Sequence, residues 1–153
     1  MYAVVRVRGL KHVNVHIRRT LEALQLDRKN HCVMVPEQKE FQGMLDAARD
    51  YVGFGSIKPE TLARLLQKRG RLPGDKPLTQ EFLKKNNLSS FDEMAKAVLS
   101  GKITLDALGI KPVFRLNAPR GGFSRAGTKK SVELKGPLGF HPNGIDPLML
   151  KMM

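Results

Sequence analysis

The sequence predicts an α+β protein: a β-α-β-α-β sandwich with a small, mainly antiparallel sheet, then a helical middle and a basic tail. Three observations predict it. Tyr2 to Arg8 alternates at the two-residue period of a strand. Apolar residues then recur at helical spacing in two segments that each separate short apolar runs. Connections this short fold both helices back onto one face of the sheet.

In the first strand Ala3, Val5 and Val7 share one face, and Tyr2, Val4, Arg6 and Arg8 share the other. The second face is expected to be wet or bound to a partner. Gly9 ends the strand. Asn14 is placed to cap a helix over 15–26, with Val13, Ile17, Leu21 and Leu24 on its buried side and Arg18 and Arg19 pointing away. Asp27 to Asn30 reads as a turn, and Cys32 to Val35 as a second strand stopped by Pro36. A helix over 38–51 is expected to bury Phe41, Met44, Leu45, Ala48 and Val52. The apolar run over 51–57, broken by glycines, is the third strand.

Pro59 suits the first turn of the next helix, which turns Leu62, Leu65 and Leu66 inward and ends at Gly70. Arg64, Lys68 and Arg71 line another side, with Arg69 beside them. Thr79 can cap a short helix, and Ser90 with Glu93 has the spacing of a capping box ahead of Phe91. Val113 to Asn117 is expected to join the main sheet as a fourth strand. Asp146 and Pro147 read as the cap and first residue of a C-terminal helix anchored by Leu148 and Met152. Three segments follow: a core over 1–57, a helical subdomain over 58–110, and 111–153 with a strand, a basic glycine-bearing loop and a short helix.

The 153 residues carry 27 Lys and Arg against 14 Asp and Glu, a formal net charge of +13. Such an excess points to phosphate, in nucleic acid or an anionic membrane. No run of 18 apolar residues supports a membrane reading. The single Cys32 forms no disulfide within the chain. Enzyme signatures are missing: there is no P-loop, dinucleotide fingerprint or nucleophile elbow. His12, His16, His31 and Cys32 lack a recognisable metal-ligand pattern, and Asp46 with Asp50 reads as a solvated face balanced by Arg49. No metal and no cofactor is expected.

The cations fall in three clusters. Arg6, Arg8, Lys11, Arg18 and Arg19 form the first; Arg64, Lys68, Arg69 and Arg71 the second. The third is the loop with Arg120, Arg125, Lys129 and Lys130, and Arg115 lies just ahead of it in the basic stretch from Lys111 to Lys135. Guanidinium groups match phosphate with paired hydrogen bonds, and bound cations release counterions. Gly121 and Gly122 permit a close backbone approach to RNA. So polar a loop is not expected to hold one shape by itself. Phe140 is expected to plug a local apolar pocket; Phe123 has either that role or stacking on a base.

Four stretches carry a resemblance: VVRVRG at Val4–Gly9, NHCVMVPE at Asn30–Glu37 with FQGML at Phe41–Leu45, ETLARLLQKRGRL at Glu60–Leu72, and KPVFRLNAPRGG at Lys111–Gly122. Their order and spacing resemble the archaeal long form of large-subunit ribosomal protein thirty, whose eukaryotic members are numbered seven. The resemblance implies a two-layer ferredoxin-like β-α-β-α-β core with a small antiparallel sheet, plus a helical insertion and a basic C-terminal extension. It implies a ribosome-bound, cytoplasmic structural protein without catalysis. It implies 23S rRNA as partner, near 5S rRNA, with neighbouring large-subunit proteins and no membrane. The chain departs from the family's usual K-E-G-G-x-L-G after Lys130, where it has Pro137. Two alternatives remain open on the residues alone: an RNA-binding module acting off the ribosome, and a small enzyme on a phosphorylated substrate.

Overall fold

Strand β1 (Tyr2–Arg6) lies at the centre of a five-stranded sheet. The computed structural model describes residues 1–11, 13–86, 88–123 and 127–153. Along the chain follow α1 (Val15–Ala23), β2 (His31–Val35), α2 (Lys39–Ala48), β3 (Val52–Ser56), α3 (Pro59–Arg69), α4 (Gln80–Lys85), α5 (Phe91–Leu99), β4 (Val113–Arg115), β5 (Gly139–His141) and α6 (Asp146–Met152). The strand order is β4-β2-β1-β3-β5. Val4 pairs with Val33 on one side and Phe54 on the other, both antiparallel. β4 joins the main sheet as the sequence predicts, pairing antiparallel with β2, and β5 joins β3 parallel. The β1-α1-β2-α2-β3 unit is consistent with the ferredoxin-like α+β core expected.

Both faces of the sheet are buried, which corrects the expectation of a wet face. Val4, Val33, Val35, Val52 and Phe54 pack with Leu21 and Leu24 of α1 and Leu45 and Ala48 of α2. On the other face Ala3, Val5 and Cys32 pack with Leu62, Leu65 and Leu66 of α3, Met94 and Val98 of α5, and Met149 and Met152 of α6. Full burial of one such side chain stabilises by about 1.5–3 kcal/mol. Strict alternation identifies the two faces; it does not reveal that the helical middle covers one of them.

Ends of elements have identifiable causes. β1 stops at Arg6 because the N–H groups of Val7 and Arg8 both donate to the Tyr51 carbonyl, at 3.0 and 3.2 Å, so two residues face one. α1 stops three residues before the expected end, where Gln25 turns left-handed at φ 57°. Gly70 closes α3 because a Cβ there would lie 2.3 Å from Leu78 Cδ1 and 2.4 Å from the Leu66 carbonyl oxygen. Ser90 caps α5 as expected, its hydroxyl accepting from Glu93 N–H at 3.2 Å. The Glu93 carboxylate accepts from Ser89 rather than from Ser90.

One reading of the C-terminal region is corrected. Asp146 is the first residue of α6 and Ile145 is its cap. The nearly buried Asp146 carboxylate instead accepts from Lys58 N–H at 3.0 Å, joining the starts of α3 and α6. The basic segment is tied to the fold on both sides of the loop. Asn117 and Arg120 N–H donate to the carbonyls of Met152 and Lys151, at 3.0 and 2.8 Å. Further along, Val132 N–H donates to the Leu138 carbonyl at 2.8 Å before β5 begins.

Candidate nucleic-acid interface

The inner end of β1 and the start of the basic loop meet at a cleft of about 430 Å³. Arg8 and Lys11 reach it from the segment that follows β1, Lys29 from the turn before β2, and Lys129 from the basic loop. Tyr51, Phe123, Asn30 and Thr128 also line it, and no carboxylate does so among the described residues. The arrangement thus unites part of the first sequence cluster with part of the third. The Arg8 guanidinium is fixed in place: it donates to the Asp50 carbonyl at 3.0 Å and sits 4.8 Å from the centre of the Tyr51 ring. Gly9 leaves room for Lys29 to cross the cleft floor, since a Cβ there would lie 2.9 Å from Lys29 Cε.

Arg6 is not part of this surface. Its side chain is only 1 % exposed, with Nη1 donating to the Leu26 carbonyl at 2.6 Å and Nε to the Arg8 carbonyl at 2.9 Å. Burial pulls its pKa below the ordinary arginine value, and Asp27 acts in the opposite direction. The expectation that Arg6 contacts phosphate is therefore corrected. Its bonds hold the turn that carries Lys29, and Asn30, left-handed at φ 64°, completes the tie by donating to the Arg6 carbonyl at 2.7 Å.

The second cluster splits in two. Arg64 and Lys68 are exposed on α3. Arg71 joins Arg115 of β4 and Arg69 around a separate hollow of about 230 Å³ that also holds Asp75. The Asp75 carboxylate pairs with Lys111 and, at 3.5 Å, with Arg115. Both cations hold its pKa below the usual aspartate value, the Lys111 hydrogen bond most of all. Arg69 is half-buried, donating from Nη2 to the Met153 carbonyl at 3.1 Å, which leaves it poorly placed for a phosphate.

Of the third cluster, Arg120, Gly121, Gly122, Lys129 and Lys130 are exposed, and both glycines are left-handed, at φ 76° and 73°. Arg125 lies outside the described residues, as does His12. Arg18 and Arg19 are exposed on α1, away from the cleft lining, and Arg18 Nε pairs with Glu22 at 2.9 Å. Sequence reasoning misses Lys29 and Tyr51. The basic pair Arg28-Lys29 inside the predicted turn is the signal for the first; nothing in the sequence marks the second.

Among the described residues no cluster of three or more His, Cys, Asp and Glu could hold a metal ion. Cys32 is fully buried, its sulfur 4.0 Å from that of Met149, and burial pushes its pKa well up. Among the described residues no helix is long and apolar enough to cross a membrane.

Comparison with known proteins bears on these surfaces. The family model described as Ribosomal protein L30p/L7e matches residues 2–52. The large ribosomal subunit protein uL30 of Methanococcus maripaludis is 45% identical over 152 residues, covering 99% of each chain. That of Methanococcus vannielii is 47% identical over 152 residues, again covering 99% of each. That of Nanoarchaeum equitans is 43% identical over 151 residues, covering 99% of this chain and 97% of the relative. Near-complete coverage at this identity leaves one conclusion: the chain belongs to the L30p/L7e family of ribosomal proteins.

Proposed function

We propose that the protein is a structural constituent of the large ribosomal subunit that binds 23S rRNA, near 5S rRNA, and scaffolds it during assembly and translation. Membership of a ribosomal-protein family gives it a structural, non-enzymatic role. The observation that carries the RNA reading is the cleft lined by Arg8, Lys11, Lys29 and Lys129, with no carboxylate among its described lining residues. Concave walls of one sign raise the local field and draw in phosphate. Arg120, Arg125 and Lys130 extend the contact along the basic loop, where Gly121 and Gly122 let the backbone approach closely. Arg64, Lys68, Arg71 and Arg115 serve a second stretch of RNA, and Arg18 and Arg19 a third. Neighbouring large-subunit proteins are further partners, and the location is cytoplasmic and ribosome-bound.

Sedimentation tests this. Tagged chain from gently lysed cells is expected to travel with the large subunit and stay there through a high-salt wash. Chain found only in the free pool overturns the reading in favour of an RNA-binding module acting off the ribosome.

A further inference from the structure

We propose that the cleft between β1 and the basic loop receives a single unpaired nucleotide, with the base against Phe123 and its phosphates on Lys11, Lys29 and Lys129. This rests on the rRNA reading and names what that surface takes. The first ground is shape. A cleft of about 430 Å³ falls within the usual range for small-ligand pockets, roughly 300–1,000 Å³, and its concavity suits one splayed-out unit rather than a paired helix. RNA recognition by proteins favours such unstacked bases in loops and bulges.

The second ground is the placement of the rings. Tyr51 has Arg8 over its ring, so that face is taken. Phe123 is half-buried and lines two hollows at once: the cationic cleft, and a smaller one of about 180 Å³ bounded by Pro137, His141 and Leu148. Phe123 therefore stands between the two hollows. A base in the cleft stacks on Phe123, and Asn30 and Thr128 line the same walls. Base–aromatic stacking tolerates any base.

The third ground is contrast. The hollow around Arg69, Arg71 and Arg115 is also cationic, but it holds a carboxylate, Asp75, and no ring. It suits a phosphate and not a base. The cleft joins four cations, Arg8, Lys11, Lys29 and Lys129, to an aromatic wall with no carboxylate among its described lining residues.

The test compares two RNA hairpins of the same stem, one fully paired and one with a single bulged nucleotide, each titrated with the full chain by fluorescence anisotropy. The native chain is expected to bind the bulged hairpin about tenfold or more tighter. Phe123→Ala is expected to abolish that preference while leaving affinity for the paired hairpin unchanged, and Phe123→Tyr to keep it. Lys29→Ala with Lys129→Ala is expected to weaken both hairpins and flatten the salt dependence. Equal binding of both hairpins by the native chain overturns the proposal, as does an equal loss on both from Phe123→Ala. The ribosomal reading fails separately, by absence from the large subunit. A chain that sediments with the subunit and does not distinguish the hairpins loses the nucleotide site alone.

Discussion

The Arg6 guanidinium donates to the Leu26 carbonyl at 2.6 Å inside the protein, on the face of the sheet packed by α1 and α2. With the Arg8 carbonyl as second acceptor, it ties the end of β1 to the turn that supplies Lys29. Replacing it separates packing from hydrogen bonding. Arg6→Ala is expected to cost about 2–5 kcal/mol, from the cavity and the deserted carbonyls together. Arg6→Met keeps the volume and is expected to cost about 1–3 kcal/mol. Urea denaturation measures both. An alanine variant as stable as the native chain would remove Arg6 from the core.

Gly53 and Gly55 are the sites where the C-terminal region meets the sheet. A Cβ on Gly53 would lie 2.3 Å from the Pro137 carbonyl oxygen, and one on Gly55 would lie 2.9 Å from that of His141. Both atoms belong to backbone, so neither moves cheaply. Gly53→Ala is expected to destabilise by about 1–3 kcal/mol, as over-packed positions do, and to loosen β5 before the rest of the sheet. Faster amide exchange at Phe140 and His141, with Val4 and Val33 still protected, is the expected pattern. Uniform loss of protection would instead mean that β5 is not a separable layer.

These two sites show where sequence reading succeeds and where it stops. Leu62, Leu65 and Leu66 are legible as a buried helix face because a 3.6-residue period repeats within one element. β5 is not legible: three residues, Gly139 to His141, are too few to establish any period. The burial of Arg6 is hidden for another reason. Alternation assigns a residue to a face, but whether that face is wet depends on α1 and α2 packing on it. Likewise Phe140 shows half its surface and meets Tyr2 and Phe54 at ring-centre distances of 6.1 and 5.7 Å, a contact between distant segments. At the candidate site, Arg8, Lys11 and Lys129 are foreseeable singly. Their convergence is not, because it is made by the fold.

Arg120, Lys129 and Lys130 project from a loop whose backbone bonds do not use their side chains. Replacing all three with Ala is expected to leave the circular dichroism spectrum unchanged. Affinity for rRNA fragments should fall, and the slope of log affinity against log salt should flatten by roughly 0.7–0.9 for each phosphate no longer neutralised. Disappearance of helical signal in this variant would make the loop part of the folding core.

His31 and His141 set the response to mild acid. Burial lowers the pKa of both below the ordinary histidine value. At His31 the nearby Arg115 lowers it further while Asp27 opposes, and Nδ1 is buried without a hydrogen-bond partner. At His141 the Pro137 carbonyl, 3.1 Å from Nε2, partly offsets the burial. With the folded values lowered, the unfolded chain takes up protons first as pH falls through the ordinary histidine range, near 6.5. Their contribution is thus intact above that pH and is lost as pH descends through the folded values. The lowered carboxyls of Asp75 and Glu93 act only at still lower pH. Urea midpoints are therefore expected to fall from pH 7.5 to pH 5.5, and the fall should shrink in a His31→Gln, His141→Gln variant. A native midpoint that holds or rises over this interval would mean that neither ring is held neutral by the fold.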